Sequence, residues 1–170
     1  EVLAAIVSRY PHPIAESIEA RYRLLQIAEA HGNTNARTRI LHDLVEVDAT
    51  AGAERSDRTR YLAAKASLEL ADPVRERFMV MKITQPLAES MELKKVLRED
   101  VLRVYGNAAE YGVAEVTTAA TFRLGEVYQQ FSRDLMDSER PADLDALALE
   151  QYELLLEEQT FPFEEKAIEL

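Results

Sequence analysis

The sequence predicts an all-α fold of stacked antiparallel α-hairpins, with about seven to nine helices in one helical-repeat domain spanning 1–170. Three observations carry this. Apolar residues recur at three- and four-residue spacing through almost every segment, which puts them on one face of a helix. No run of four or more residues alternates apolar with polar, and none is a β-branched run closed by turns, as strands require. Five Gly and six Pro are too few for the turns of an all-β chain.

The elements follow in order. Residues 1–10 read as the tail of a helix, broken by Tyr10-Pro-His-Pro13 because neither proline can donate to the helix ladder. Pro13 then suits the first turn of a helix from about Ile14 to His31. Its apolar face is Ile14, Ile18, Tyr22, Leu25 and Ala28. Gly32-Asn33 stops it, and Asn33 or Thr34 is placed to cap the next helix, about Asn35 to Ala51. There Ile40, Leu41, Leu44, Val45 and Val47 form the buried stripe, and Gly52 ends it.

Ser56 or Asp57 caps the third long segment. Asp72-Pro73 interrupts its pattern and has two readings. Asp72 is the cap of a new helix with Pro73 in its first turn, or one helix is kinked there. Pro86 opens a helix from Leu87 to about Tyr111 with the stripe Leu93, Leu97, Val101, Val104, Ala108, Tyr111, closed by Gly112. A helix from Val113 to Met136 follows. After a polar loop, Asp143 or Asp145 caps a helix to about Gln159, Thr160-Phe-Pro-Phe163 reads as a short break, and Glu164 begins another helix.

Composition narrows the function classes. The chain has no Cys, which excludes disulfides, Cys-ligated metals and thiol nucleophiles. The net charge of −11 is uneven: residues 137–170 carry eleven acidic and two basic side chains. That polarity argues against nucleic acid, which needs a basic face, and against anionic lipid. A solvated helix face accounts for it, and an acidic end also suits a basic partner. No uncharged apolar run approaches the roughly 18 residues of a membrane span. Both ends fall in mid-pattern, so the chain is expected to be an excerpt of a longer protein, with any targeting segment outside it.

Leu124-Gly125-x-x-Tyr128, followed by Ala148-x-x-x-Tyr152, resembles the paired helices of a tetratricopeptide repeat, best over 114–160. In that family a small residue lets the second helix pack close and an aromatic fills the gap one turn on. The resemblance implies close helix-pair contacts at Leu124, Gly125, Tyr128, Ala148 and Tyr152. The loop between the helices is about ten residues longer than the family's unit of about 34 allows. The wording of 109–118 and 151–159 is similar to large repeat proteins of Gram-negative bacteria, which implies a scaffold role and an envelope or periplasmic location.

No enzyme motif accompanies this. Gly-rich phosphate loops and Gly-x-Ser-x-Gly are absent, and none of His12, His31 and His42 lies in a zinc or di-iron spacing. His42 and Glu46 stand as an ordinary i, i+4 pair. Glu126 is a lone acid without a surrounding motif. The expectation is therefore no catalytic residue, cofactor or metal. Tyr105, Asn107 and Tyr111, with a second cluster at Arg58, Arg60 and Tyr61, are the candidate partner-binding residues, since tyrosines and asparagines supply contact area and hydrogen bonds. The expected role is a non-enzymatic scaffold with a concave helical-repeat surface for a peptide or protein. The alternatives are an accessory or substrate-recognition domain of a larger envelope enzyme, and a compact bundle that dimerises.

Overall fold

The computed structural model describes Val7 and residues 11–170, so the helix tail expected over residues 1–10 lies, Val7 apart, outside the described residues. The fold is all-α, with no strand among the described residues. Six helices and one short 3-10 turn are described, rather than seven to nine: α1 Ile14–Ala30, α2 Thr34–Thr50, the 3-10 turn Gly52–Glu54, α3 Asp57–Val80, α4 Leu87–Ala109, α5 Ala114–Met136 and α6 Ala146–Glu169. The chain divides into two compact units, one of residues 1–71 with 106–118, the other of 72–105 with 119–170.

In the first unit, α1 and α2 form a hairpin whose turn is written in the sequence. Gly32 takes φ +63°. The Asn33 N–H reaches back to the Ala28 carbonyl and the Gly32 N–H to that of Glu29, a Schellman end. The Asn33 side chain then accepts from the Ala36 N–H at 3.0 Å and caps α2. Ile18, Leu25, Leu41 and Leu44 bury together with Leu62 and Ala66 of α3, as the apolar faces of α1 and α2 predict. At the start of α3, Ser56 and Thr59 exchange backbone-to-hydroxyl bonds of 3.0 and 3.2 Å, a capping box. The Thr59 hydroxyl also donates to buried Asp48 at 2.7 Å, and Arg55 pairs with that carboxylate at 2.8 Å.

Helix α3 runs unbroken through Pro73. Asp72 is therefore not the cap of a new helix.

Helix α4 keeps Val101 and Ala108 of its expected stripe buried but departs from it at Leu93. Leu93 is 51% exposed, whereas Lys94 beside it is wholly buried, with Val101, Tyr105 and Ala108 on the same face. Helix α6 corrects a second expectation. It passes straight through Thr160-Phe-Pro-Phe163, with Pro162 inside it. Packing holds it: Thr160 is buried, and Phe163 meets Phe131 of α5 edge-on with centroids 4.8 Å apart. The pair α5–α6 is antiparallel, because Gly125 stands by Ala167 while Ser132 further along α5 bonds Glu164.

The close approach expected at Gly125 thus falls on α6, but not at Ala148. A Cβ on Gly125 would sit 3.4 Å from the Ala167 carbonyl. Ala148 lies 19 residues earlier, roughly 28 Å along the axis. Gly125→Leu is expected to overpack and cost about 1–3 kcal/mol in urea unfolding. Gly125→Ala should stay within about 1 kcal/mol of the parent, since a Cβ at van der Waals distance is offset by better helix propensity. Equal losses for both would show that Gly125 is not a close contact.

Candidate functional site

The residues singled out from the sequence do not form one surface. Tyr105 is fully buried in the second unit, so it is unavailable to a partner. Its hydroxyl donates to Asp72 at 2.8 Å. Asn107 is exposed and Tyr111 half-buried, both in the first unit, with the Arg55 guanidinium 6.0 Å from the Tyr111 ring centre. Arg58 and Tyr61 do come together: the guanidinium lies over Tyr61 and Tyr22, at 5.8 and 5.4 Å, and pairs with Glu19 at 2.5 Å. Tyr61 donates to Glu115 at 3.2 Å. Arg60 turns to Asp57, 2.7 Å away, and takes no part. Arg58, Arg60 and Tyr61 thus each have a polar partner within the chain.

Leu124, Tyr128, Ala148 and Tyr152 are half-buried, with Arg140 lying 5.9 Å from the Tyr152 ring centre. Glu126 is held by Arg75 and Arg123, each at 2.9 Å. His12 pairs with Glu54, His31 bonds the Ile27 carbonyl, and exposed His42 makes no ion pair with Glu46.

Two features were missed. The first is the buried ammonium of Lys94. It donates to the carbonyls of Phe78 and Met81 at 2.5 and 2.7 Å and pairs with buried Asp134 at 2.6 Å. Lys82 pairs with the same carboxylate from the solvent side at 2.9 Å. Burial pushes the Lys94 pKa down, against the pull of Asp134, whereas the hydrogen bond to Asp134 raises that of Lys82. The Lys94 ammonium thus has two carbonyls and one carboxylate about it, and the head is sealed from solvent. The amine therefore ties down the last turn of α3, where a cation is favoured, and is closed to a reactant.

The second is the outer face of α6. Leu147, Leu154, Phe161 and Ile168 are 65, 56, 57 and 86% exposed and recur every seven residues. A different set, Leu149, Tyr152, Leu156, Thr160, Phe163 and Ala167, packs inward. At 3.6 residues per turn the two rows lie roughly 145° apart. The signal was present in the sequence as a repeated heptad: Leu147-Ala-Leu-Glu150, Leu154-Leu-Leu-Glu157 and Phe161-Pro-Phe-Glu164. Its first apolar position points out and its third points in.

Tyr105 gives a pH-resolved prediction. Burial, then the bond to Asp72, raises its pKa above the ordinary 10.0. The native chain therefore keeps a proton that the unfolded chain loses above pH 10, and stability from this group falls as pH rises through that range. Tyr105→Phe should cost about 1 kcal/mol at pH 7. The gap to the parent should then close by up to about 1.4 kcal/mol per pH unit above about pH 10. Parallel stability curves from pH 7 to 11 would contradict it.

Fold and surface together define an all-α protein whose last described helix is apolar on two opposed faces, one of them open. No described helix is long and apolar enough to cross a membrane. No protein-family model, curated protein or solved structure matches the chain.

Proposed function

We propose that this chain is a non-enzymatic protein-interaction scaffold built of stacked α-hairpins in the tetratricopeptide manner. The α1–α2 hairpin about Gly32 and the antiparallel α5–α6 pair support the hairpin reading. One observation carries the interaction reading: the outer row of α6, four large apolar side chains each more than half exposed on one helix. Ordinary surface apolar residues are scattered singly, whereas a contiguous row marks a contact. The helix is preformed, so a partner loses little ordering entropy on its side of the interface. The role thus shifts from the tyrosines to α6.

Panning a randomised library of helical peptides on the parent chain and on Leu154→Ser/Phe161→Ser tests the reading. Peptides enriched on the parent and lost on the double variant support it. Enrichment that ignores the double variant overturns it.

A further inference from the structure

The borders of the α6 row say what covers it. Residues four positions before and after an apolar member sit about 40° to either side of it. On one side these are Glu150, Glu157 and Glu164, and on the other Gln151, Glu158 and Glu165. All five glutamates are exposed, and the sole base on α6, Lys166, lies on neither border. A four-residue apolar ridge is thus fenced by carboxylates on both flanks.

We infer that the outer row of α6 docks a basic amphipathic helix, with apolar residues at seven-residue spacing between rows of Lys or Arg. This rests on the interaction reading above and adds the partner's chemistry. Charge decides against a second copy of this chain. Two such helices side by side would set glutamate rows against each other at their e and g borders, where opposite charges stabilise pairing. A lysine row there would bring its ammonium groups to Glu157, Glu158 and Glu165 while the apolar faces close. The seven-residue period also sets the path. On a straight helix such a row drifts by about 20° per heptad, so the partner winds round α6 with a left-handed twist.

The probe is a fluorescein-labelled helical peptide of about 25 residues, long enough to lie along α6. It carries Leu at every seventh position and Lys at the flanking ones. Its counterpart has Glu for each Lys. Fluorescence anisotropy at about 50 and 300 mM salt should show the Lys peptide bound at least about tenfold tighter, with affinity falling as salt screens the borders. Leu154→Ser/Phe161→Ser keeps every charge and should weaken binding about tenfold. Glu157→Lys/Glu158→Lys/Glu165→Lys should invert the preference. Unchanged unfolding midpoints certify the folds.

Equal affinity for the two peptides would overturn the basic partner, yet leave the interaction reading standing if panning is row-dependent. Full binding by the serine variant would reduce the effect to bulk charge and overturn the site. Sedimentation showing a dimer that the serine variant abolishes would install a second copy as occupant, against the inference.

Discussion

Replacing Lys94 with methionine is expected to lower the unfolding free energy by about 3–5 kcal/mol, the cost of breaking a buried charge pair from one side. Methionine fills the space of the stem but returns neither the two hydrogen bonds nor the ion pair. The carbonyls of Phe78 and Met81 lose their donor where α3 ends, and Asp134 keeps only Lys82 and Gln130. The position of Lys94 over the Phe78 ring, 3.9 Å from its centre, adds a cation–π contact that methionine replaces weakly. A second substitution, Asp134→Asn, should recover part of the loss, because the remaining buried group is then neutral. The two changes should couple in a double-mutant cycle. A loss under about 1 kcal/mol for Lys94→Met would mean the pair contributes no more than a surface bridge.

The pH dependence has a defined sign. The native-state pKa of Lys94 lies below 10.5, so in the window between that lowered value and 10.5 the unfolded chain binds more protons. Stability from this group therefore rises with pH across the window. The methionine variant should lack that rise. Tyr105 works in the opposite direction from about pH 10 upward, so the curve of Lys94→Met/Tyr105→Phe should be flatter than that of either single variant.

How far the sequence reached follows from which interactions are local. The hairpin of α1 and α2 was readable almost residue by residue, since Gly32, Asn33 and the apolar faces all act within a few positions of one another. Lys94 was not readable. A lysine is ordinarily a surface residue, and its burial depends on two carbonyls 13 and 16 positions earlier and on an aspartate 40 positions later. The stripe assigned to α4 failed at Leu93 for the same reason, while its Val101 and Ala108 are buried as read. Pro162 was read as a break because the intrinsic cost of proline in a helix is about 3 kcal/mol. Contacts of Phe163 and Thr160 outweigh that cost, and no local rule contains them. Tyr105 and Arg58 were read as partner-binding candidates, but Asp72 and Glu19 engage them inside the chain. The outer row of α6 escaped because its apolar residues occupy two opposed faces, which blurs a single-faced pattern.

Phe131→Ala is expected to cost about 3–5 kcal/mol, as for a fully buried aromatic, and to fall most heavily on α6. The Phe131 ring is stacked on Phe78 of α3, with centroids 6.5 Å apart, and meets Phe163 of α6 edge-on at 4.8 Å. The Arg98 guanidinium lies over Phe131 and Phe163, at 4.6 and 5.2 Å. One ring thus joins α3, α4, α5 and the proline-bearing part of α6. Without it, α6 keeps Leu156, Thr160 and the Ser132–Glu164 bond but loses the contact that offsets Pro162. Hydrogen exchange should therefore speed up in α6 by more than in α1, whose core of Ile18, Leu25 and Leu41 belongs to the other unit. Phe131→Leu, which restores most of the volume, should cost less than about 2 kcal/mol and leave the exchange pattern intact. Uniform acceleration in both helices of Phe131→Ala would show that α6 has no separate anchor. A selective loss, with weaker binding of the lysine peptide by a chain that is still folded, would tie the outer face of α6 to the ring that supports its inner face.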